Sequence, residues 1–185
     1  MRHFVRIILL FAVVSAFAPT HFAQAVAQSP QNVTMTRPGK LASYYNESQD
    51  KTTVVLGFSD VGGESACGLY VSASASYPGK TVVSPAEVKL TIMRITPEEQ
   101  IKSAPLRDLT VTADSVVMNL GLMETASQQT MMDLRWETLQ ISVPYSSFVK
   151  VANAKSVDAK LGSAKFVLTE NNLNFLRQFA GRLKP

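Results

Sequence analysis

From Leu41 to Val143 the chain keeps returning to a period of two, and that habit constrains its fold more than any other feature. GLYVSASASY alternates apolar residues with serine, and AEVKLTIMRI sets Val88, Leu90 and Ile92 on one face. KTTVVLGF is dense in β-branched side chains. Side chains of a strand point alternately to opposite faces, so these segments predict strands with one buried face. Tyr77-Pro78-Gly79-Lys80 carries proline and glycine where a type II turn wants them. DLTVTADSVVMNLG predicts a hairpin turning near Ala113-Asp114-Ser115. LRWETLQISV alternates Leu134, Trp136, Leu139, Ile141 and Val143 with one slip between Trp136 and Leu139, as a β-bulge would produce.

From Pro144 the grammar changes. PYSSFVKVANA spaces Phe148, Val151 and Ala152 for a helix, with Pro144 near its start, where proline is tolerated. SVDAKLGSAKFVLT reads as two short strands around Gly162. TENNLNFLRQFAGRL offers Thr169 as N-cap and a stripe of Leu173, Leu176, Phe179, Ala180 and Leu183, with Gly181 weakening the last turn. The fold expected is β-rich α+β, an antiparallel sheet or sandwich with two short helices near the C-terminus. Residues 40–185 form one such domain, and the polar, aperiodic residues 28–39 form a flexible lead-in.

The opening MRHFVRIILLFAVVSAFAPTHFAQAVAQSP has a basic start at Arg2 and Arg6, an apolar run from Ile7 to Ala18 and small residues at Ala23, Ala25 and Ala27. That is the build of a secretory signal peptide cleaved after Ala27, with Ala25 as the second choice. The run is shorter than the roughly 20 residues that span a bilayer, and no later segment reaches that length, so no transmembrane segment is expected after signal removal. Export to the periplasm or the exterior is the consequence. Removing residues 1–27 takes away both histidines, His3 and His21, and leaves 16 basic against 14 acidic side chains. Cys67 is the chain's only cysteine, so an internal disulfide is excluded and the core must hold the fold.

Several short patterns invite a catalytic reading, and each fails on its chemistry. Gly63-Glu64-Ser65-Ala66-Cys67-Gly68 is one residue from the G-x-S-x-G nucleophile elbow. The adjoining GLYVSASASY reads as strand where the elbow needs a helix, and no histidine remains to serve as base for Ser65 or Cys67. Ser147-Phe148-Val149-Lys150 matches the S-x-x-K of exported acyl-transfer enzymes, but their companion motifs are missing. Met123, Met131 and Met132, in a segment read as a loop, would suit copper(I) only thinly, and packing against the core is the simpler expectation. Glu98 and Glu99 come after a proline and open a solvated turn or helix. No spacing of carboxylates or thiolates predicts a metal, and no cofactor is expected. Asn32-Val33-Thr34 and Asn46-Glu47-Ser48 are glycosylation sequons, relevant only in a host that glycosylates.

Charge is split along the chain. Residues 144–185 carry seven basic side chains against Asp158 and Glu170, while residues 28–143 carry a net −3. Lys150, Lys155, Lys160 and Lys165 therefore form the candidate contact surface, for an envelope protein or an anionic surface. No aromatic side chains interleave with them as a nucleic-acid platform requires, so nucleic acid is not the expected partner. The function expected is that of an exported, non-enzymatic binding or structural protein of the periplasm or cell envelope. The alternative is a small-ligand carrier whose apolar pocket in the sheet is lined by Trp136, Phe166 and tyrosines. A Ser/Lys- or carboxylate-based enzyme is the third reading.

Two segments, YYNESQDKTTVVLG and VPYSSFVKVANAKSVDAKLGSAKFVLTENNLNFLRQFAGRL, resemble a loose group of uncharacterised exported bacterial proteins. The likeness rests on a Y-x4-D-x-T-T-V strand, here Tyr45, Asp50, Thr52, Thr53 and Val54, and on a closing F-x2-[IV]-A-x-A pattern that runs into L-G-x3-F-x-L and a helix. The closing positions are Phe148, Val151, Ala152, Ala154, Val157, Leu161, Gly162, Phe166 and Leu168. The resemblance implies a shared fold and export, and carries no activity or site residues.

Overall fold

The computed structural model describes residues 39–62, 68–100 and 107–184. The expected signal peptide and most of the expected lead-in lie outside these residues, as do Gly63–Cys67 of the elbow-like stretch.

Among the described residues, ten strands build two antiparallel sheets. The first joins β1 (Leu41–Asn46), β2 (Lys51–Asp60), β3 (Gly68–Pro78), β4 (Glu87–Pro97), β7 (Glu124–Met131) and β8 (Leu134–Pro144) in the order β1-β2-β3-β4-β8-β7. The second joins β5 (Asp108–Ala113), β6 (Val116–Leu122), β9 (Val157–Leu161) and β10 (Ala164–Leu168) in the order β10-β9-β5-β6. Helix α1 (Tyr145–Asn153) links β8 to β9, and α2 (Glu170–Arg182) comes after β10. The fold is thus the expected β-rich α+β arrangement, with both helices near the C-terminus.

One core joins the two sheets and both helices. Val71, Ile92 and Val143 of the six-stranded sheet meet Val111, Val157 and Phe166 of the four-stranded sheet, with Phe148 of α1 and Leu176 of α2 closing the interior. The helical stripe read from sequence is buried as a unit, Leu173, Leu176, Phe179, Ala180 and Leu183 all facing inward. The rings of Phe148 and Phe179 meet edge to face at 5.5 Å and 80° between planes, pinning α1 to α2.

Local chemistry fixes the joints. Thr169 caps α2: its Oγ1 accepts from the Asn172 amide, and Asn172 Oδ1 accepts from the Thr169 amide at 2.8 Å. Asn172 is itself buried, and its Nδ2 donates to Ser59 Oγ and to the Asp60 carbonyl, tying the helix start to β2. A register shift between Leu56 and Ser59 makes this possible, because the extra residue turns Ser59 rather than Phe58 toward Asn172. Gly79 has φ 69°, the positive value that the Pro78-Gly79 pair predicted. The β5–β6 hairpin turns at Asp114 and Ser115, both left-handed at φ 47° and 71°.

Two expectations need correction. The slip in LRWETLQISV is not a bulge in β8, which pairs with β4 without interruption from Pro144 to Leu134. The alternation holds, and Glu137 occupies an inward position between Arg135 and Leu139 while Leu134 and Trp136 face the other way. Glu137 is 4% exposed there and pairs with Arg94, 8% exposed and directly opposite on β4. The shift lies on the other neighbour, between Thr125 and Ser127 of β7. Second, the segment carrying the methionines is no loop. Between Met123 and Met132 it is strand β7, exposed along its whole length, whose run of Ser, Gln and Thr hides its period from a hydrophobicity reading.

Candidate functional site: a lysine groove on the four-stranded sheet

The β9–β10 hairpin alternates strictly. Val157, Ala159 and Leu161 of β9 and Phe166 and Leu168 of β10 point into the core, which leaves Asp158, Lys160, Lys165 and Val167 outside. Gly162, at φ 58°, supplies the left-handed turn that joins the strands, and its amide donates to the Asp108 carbonyl. The register then sets Lys165 directly opposite Lys160, and Val167 opposite Asp158. Strand β5 continues both rows: Thr110 faces Lys160 and Thr112 faces Asp158. Beyond it β6 adds Asn119 and Val117. The outer face therefore carries one row of Lys165, Lys160, Thr110 and Asn119 beside another of Val167, Asp158, Thr112 and Val117.

Between this face and the end of β2 lies an open groove of about 610 Å³. Its walls include Val61, Gly62, Ala159, Phe166 and Val167, and its polar groups are Thr110, Thr112, Asp158, Lys160 and Lys165. Directly opposed side chains in an antiparallel pair have Cβ atoms about 5 Å apart, and like charges there repel. Among the described residues the ion pairs are Arg94–Glu137 and Arg177–Glu170, so Asp158, diagonal to Lys165, makes no ion pair with either lysine. The groove thus presents two lysines at directly opposed positions and two threonine hydroxyls, with Asp158 as its one carboxylate and Val167 as its outward apolar side chain, a set whose net positive charge can hold a carboxylate, phosphate or sulfate of a larger partner.

Of the four lysines named from sequence, Lys160 and Lys165 come together and the other two do not join them on this sheet. Lys150 stands exposed on the last turn of α1. Lys155 lies in the α1–β9 connection, where its amide and that of Ser156 donate to Asp114 Oδ1 at 2.9 and 3.1 Å. The sequence reading missed Thr110 and Thr112. DLTVTA does place them on a polar face, but only the pairing of β5 with β9, some fifty residues later, brings them to the lysines.

The other candidates have definite places. Gly68, the end of the elbow-like stretch, begins strand β3 rather than a helix. Ser147 is half-buried against the interior while Lys150 is exposed, and no hydrogen bond joins them. Met123 is fully buried, as packing required, but Met131 and Met132 are 50% and 86% exposed at the β7–β8 turn, so the three do not gather. Glu98 and Glu99 open a short 3-10 turn and are exposed. Asn46 of the second sequon is spent as a cap, its Oδ1 accepting from the Ser48 and Gln49 amides. No group of three His, Cys, Asp or Glu side chains placed to hold a metal occurs among the described residues. No helix among them is long and apolar enough to cross a membrane.

The interior offers little room. The space between the sheets is about 40 Å³ and lined by apolar residues apart from Ser147; Phe166 is among them but Trp136 is not. Drug-sized ligands occupy pockets of roughly 300–1,000 Å³. Trp136 stands half-buried on the far side of β8, its Nε1 buried without a hydrogen-bond partner. Two tyrosines have phenols held above their usual range, Tyr45 by donating to Asp50 Oδ1 at 2.6 Å and Tyr145 by burial; neither lines the groove. Comparison with protein-family models, curated proteins and solved structures finds no match for this chain.

Proposed function

We propose that the protein is an exported, non-enzymatic binding protein of the periplasm or cell envelope, and that it takes an anionic group of its partner between Lys160 and Lys165. Export rests on the build of residues 1–27. The observation that carries the site is the directly opposed lysine pair, neither lysine held in an ion pair, in an open groove. Such a pair costs folding free energy and is relieved when an anion bridges it. A residue set kept for stability would place opposite charges there.

The sign of the mutational effect tests this. Lys160→Ser with Lys165→Ser should leave stability unchanged or raise it by up to about 1 kcal/mol in urea melts, because repulsion is removed. The same variant should lose the partner that wild-type protein captures by crosslinking in its native envelope. Lys150→Ser with Lys155→Ser should capture it as before. Undiminished capture by the Lys160/Lys165 variant overturns the assignment.

A further inference from the structure

We infer that the anionic group accepted by the groove belongs to a second copy of this chain, and that its carrier is the β7–β8 hairpin tip. The inference rests on the groove reading above and names its occupant. The tip is Met132-Asp133, both residues left-handed at φ 52° and 58°, between the paired ends Met131 and Leu134. A two-residue turn of this hand is ordinarily built from Asn-Gly or Asp-Gly. Here it lifts a bulky methionine to 86% exposure, with Met131 half exposed beside it. Acidic groups surround the pair. Asp133 is exposed at the tip, and its carbonyl accepts from the Glu98 amide at 2.9 Å, which brings the exposed Glu98 and Glu99 alongside.

The tip is therefore an apolar knob with an acidic collar. The groove is its counterpart: Val167, 55% exposed, is its outward apolar side chain, and Lys160 and Lys165 outnumber the Asp158 carboxylate beside them. An anionic lipid surface would repel Asp133, Glu98 and Glu99, whereas the lysine groove attracts them. Knob and groove share no residue, so a change in one leaves the other intact. The contact is head to tail, and it closes into a ring or extends as a filament according to the rotation between copies.

The test uses two variants that each keep the fold. Met132→Asn with Asp133→Gly gives the tip the residues its turn prefers, removes the knob and one acidic group, and should be at least as stable as wild type. Lys160→Glu turns a repelling cross-strand pair into an attracting one and discharges the groove. In sedimentation velocity the wild-type protein should form species larger than a monomer as concentration rises, and added salt should weaken them. Each variant alone should associate at least tenfold more weakly. An equimolar mixture should restore association but stop at a dimer, since one variant keeps only its groove and the other only its tip. A wild-type protein that stays monomeric up to millimolar concentration overturns the inference, as does a mixture that fails to dimerise when wild type associates. If the wild type is monomeric but Lys160→Ser with Lys165→Ser still loses envelope capture, the groove reading stands and only its occupant falls.

Discussion

Replacing Glu137 by alanine should cost about 3–5 kcal/mol in urea denaturation, because it strands the Arg94 guanidinium in the interior. The two side chains are 10% and 5% exposed, face each other directly across β4 and β8, and form one of the two ion pairs among the described residues. Arg94→Ala should cost a similar amount by leaving the carboxylate unpaired. The paired change Arg94→Met with Glu137→Leu should behave quite differently. It removes both desolvation penalties at once, and should fall within about 1 kcal/mol of wild type or exceed it. If the three variants were equally unstable, the residues would matter through their shape and not through charge. By contrast, breaking Arg177–Glu170 should cost well under about 1 kcal/mol, since Glu170 is 66% exposed and water screens the pair.

The second large effect is expected at Phe179. Phe179→Ala should lose about 3–5 kcal/mol, the usual range for emptying a buried phenylalanine site. The ring is completely buried and supplies the edge-to-face contact with Phe148 on which α1 and α2 meet. Domains of this size have about 5–15 kcal/mol in total, so thermal or urea unfolding should shift strongly and the protein should be partly unfolded at growth temperature. Phe179→Leu keeps most of the volume and should cost only about 1–2 kcal/mol. A loss for Phe179→Ala no greater than that for Phe179→Leu would show that the helices do not depend on this contact.

Much of the fold was legible because local rules and tertiary packing agree. GLYVSASASY became β3 with Ala73, Ala75 and Tyr77 inward, and Thr169 became the cap that its position before an apolar stripe implied. The failures occurred where polar residues took structural places. Glu137 interrupts the apolar alternation of β8, and a pattern reading must treat a charge at an inward position as a break in register. It cannot see that Arg94, 43 positions earlier, waits opposite. ETASQQTM failed for a related reason: an edge strand exposed on both faces has no burial to record in its sequence.

The candidate site was legible in half. The excess of basic residues after Pro144 pointed to the part of the chain that carries the proposed groove, and spacing alone could tell that Lys160 and Lys165 lie outward on strands flanking Gly162. Which lysines share a face depends on where elements dock. Lys150 is on a helix and Lys155 in a connection, so equal spacing in sequence does not survive folding. The threonines came from a strand that pairs with β9 only through nonlocal hydrogen bonds. Of the motif positions named from the sequence, Phe148, Val157 and Leu161 are core residues, and core positions speak of fold and not of chemistry.

The central claim, that the outer face of the four-stranded sheet is the binding surface, is tested most directly by photocrosslinking from defined positions in the native envelope. A photoreactive residue at Thr112 or Val167, within the groove, should give one discrete adduct of higher mass, lost when Lys160 and Lys165 are both serine. The same residue at Ser74 or Ser76, on the outer face of the six-stranded sheet, should give none. Adducts from Ser74 or Ser76 with none from Thr112 or Val167 would contradict the account and move the binding surface to the other sheet.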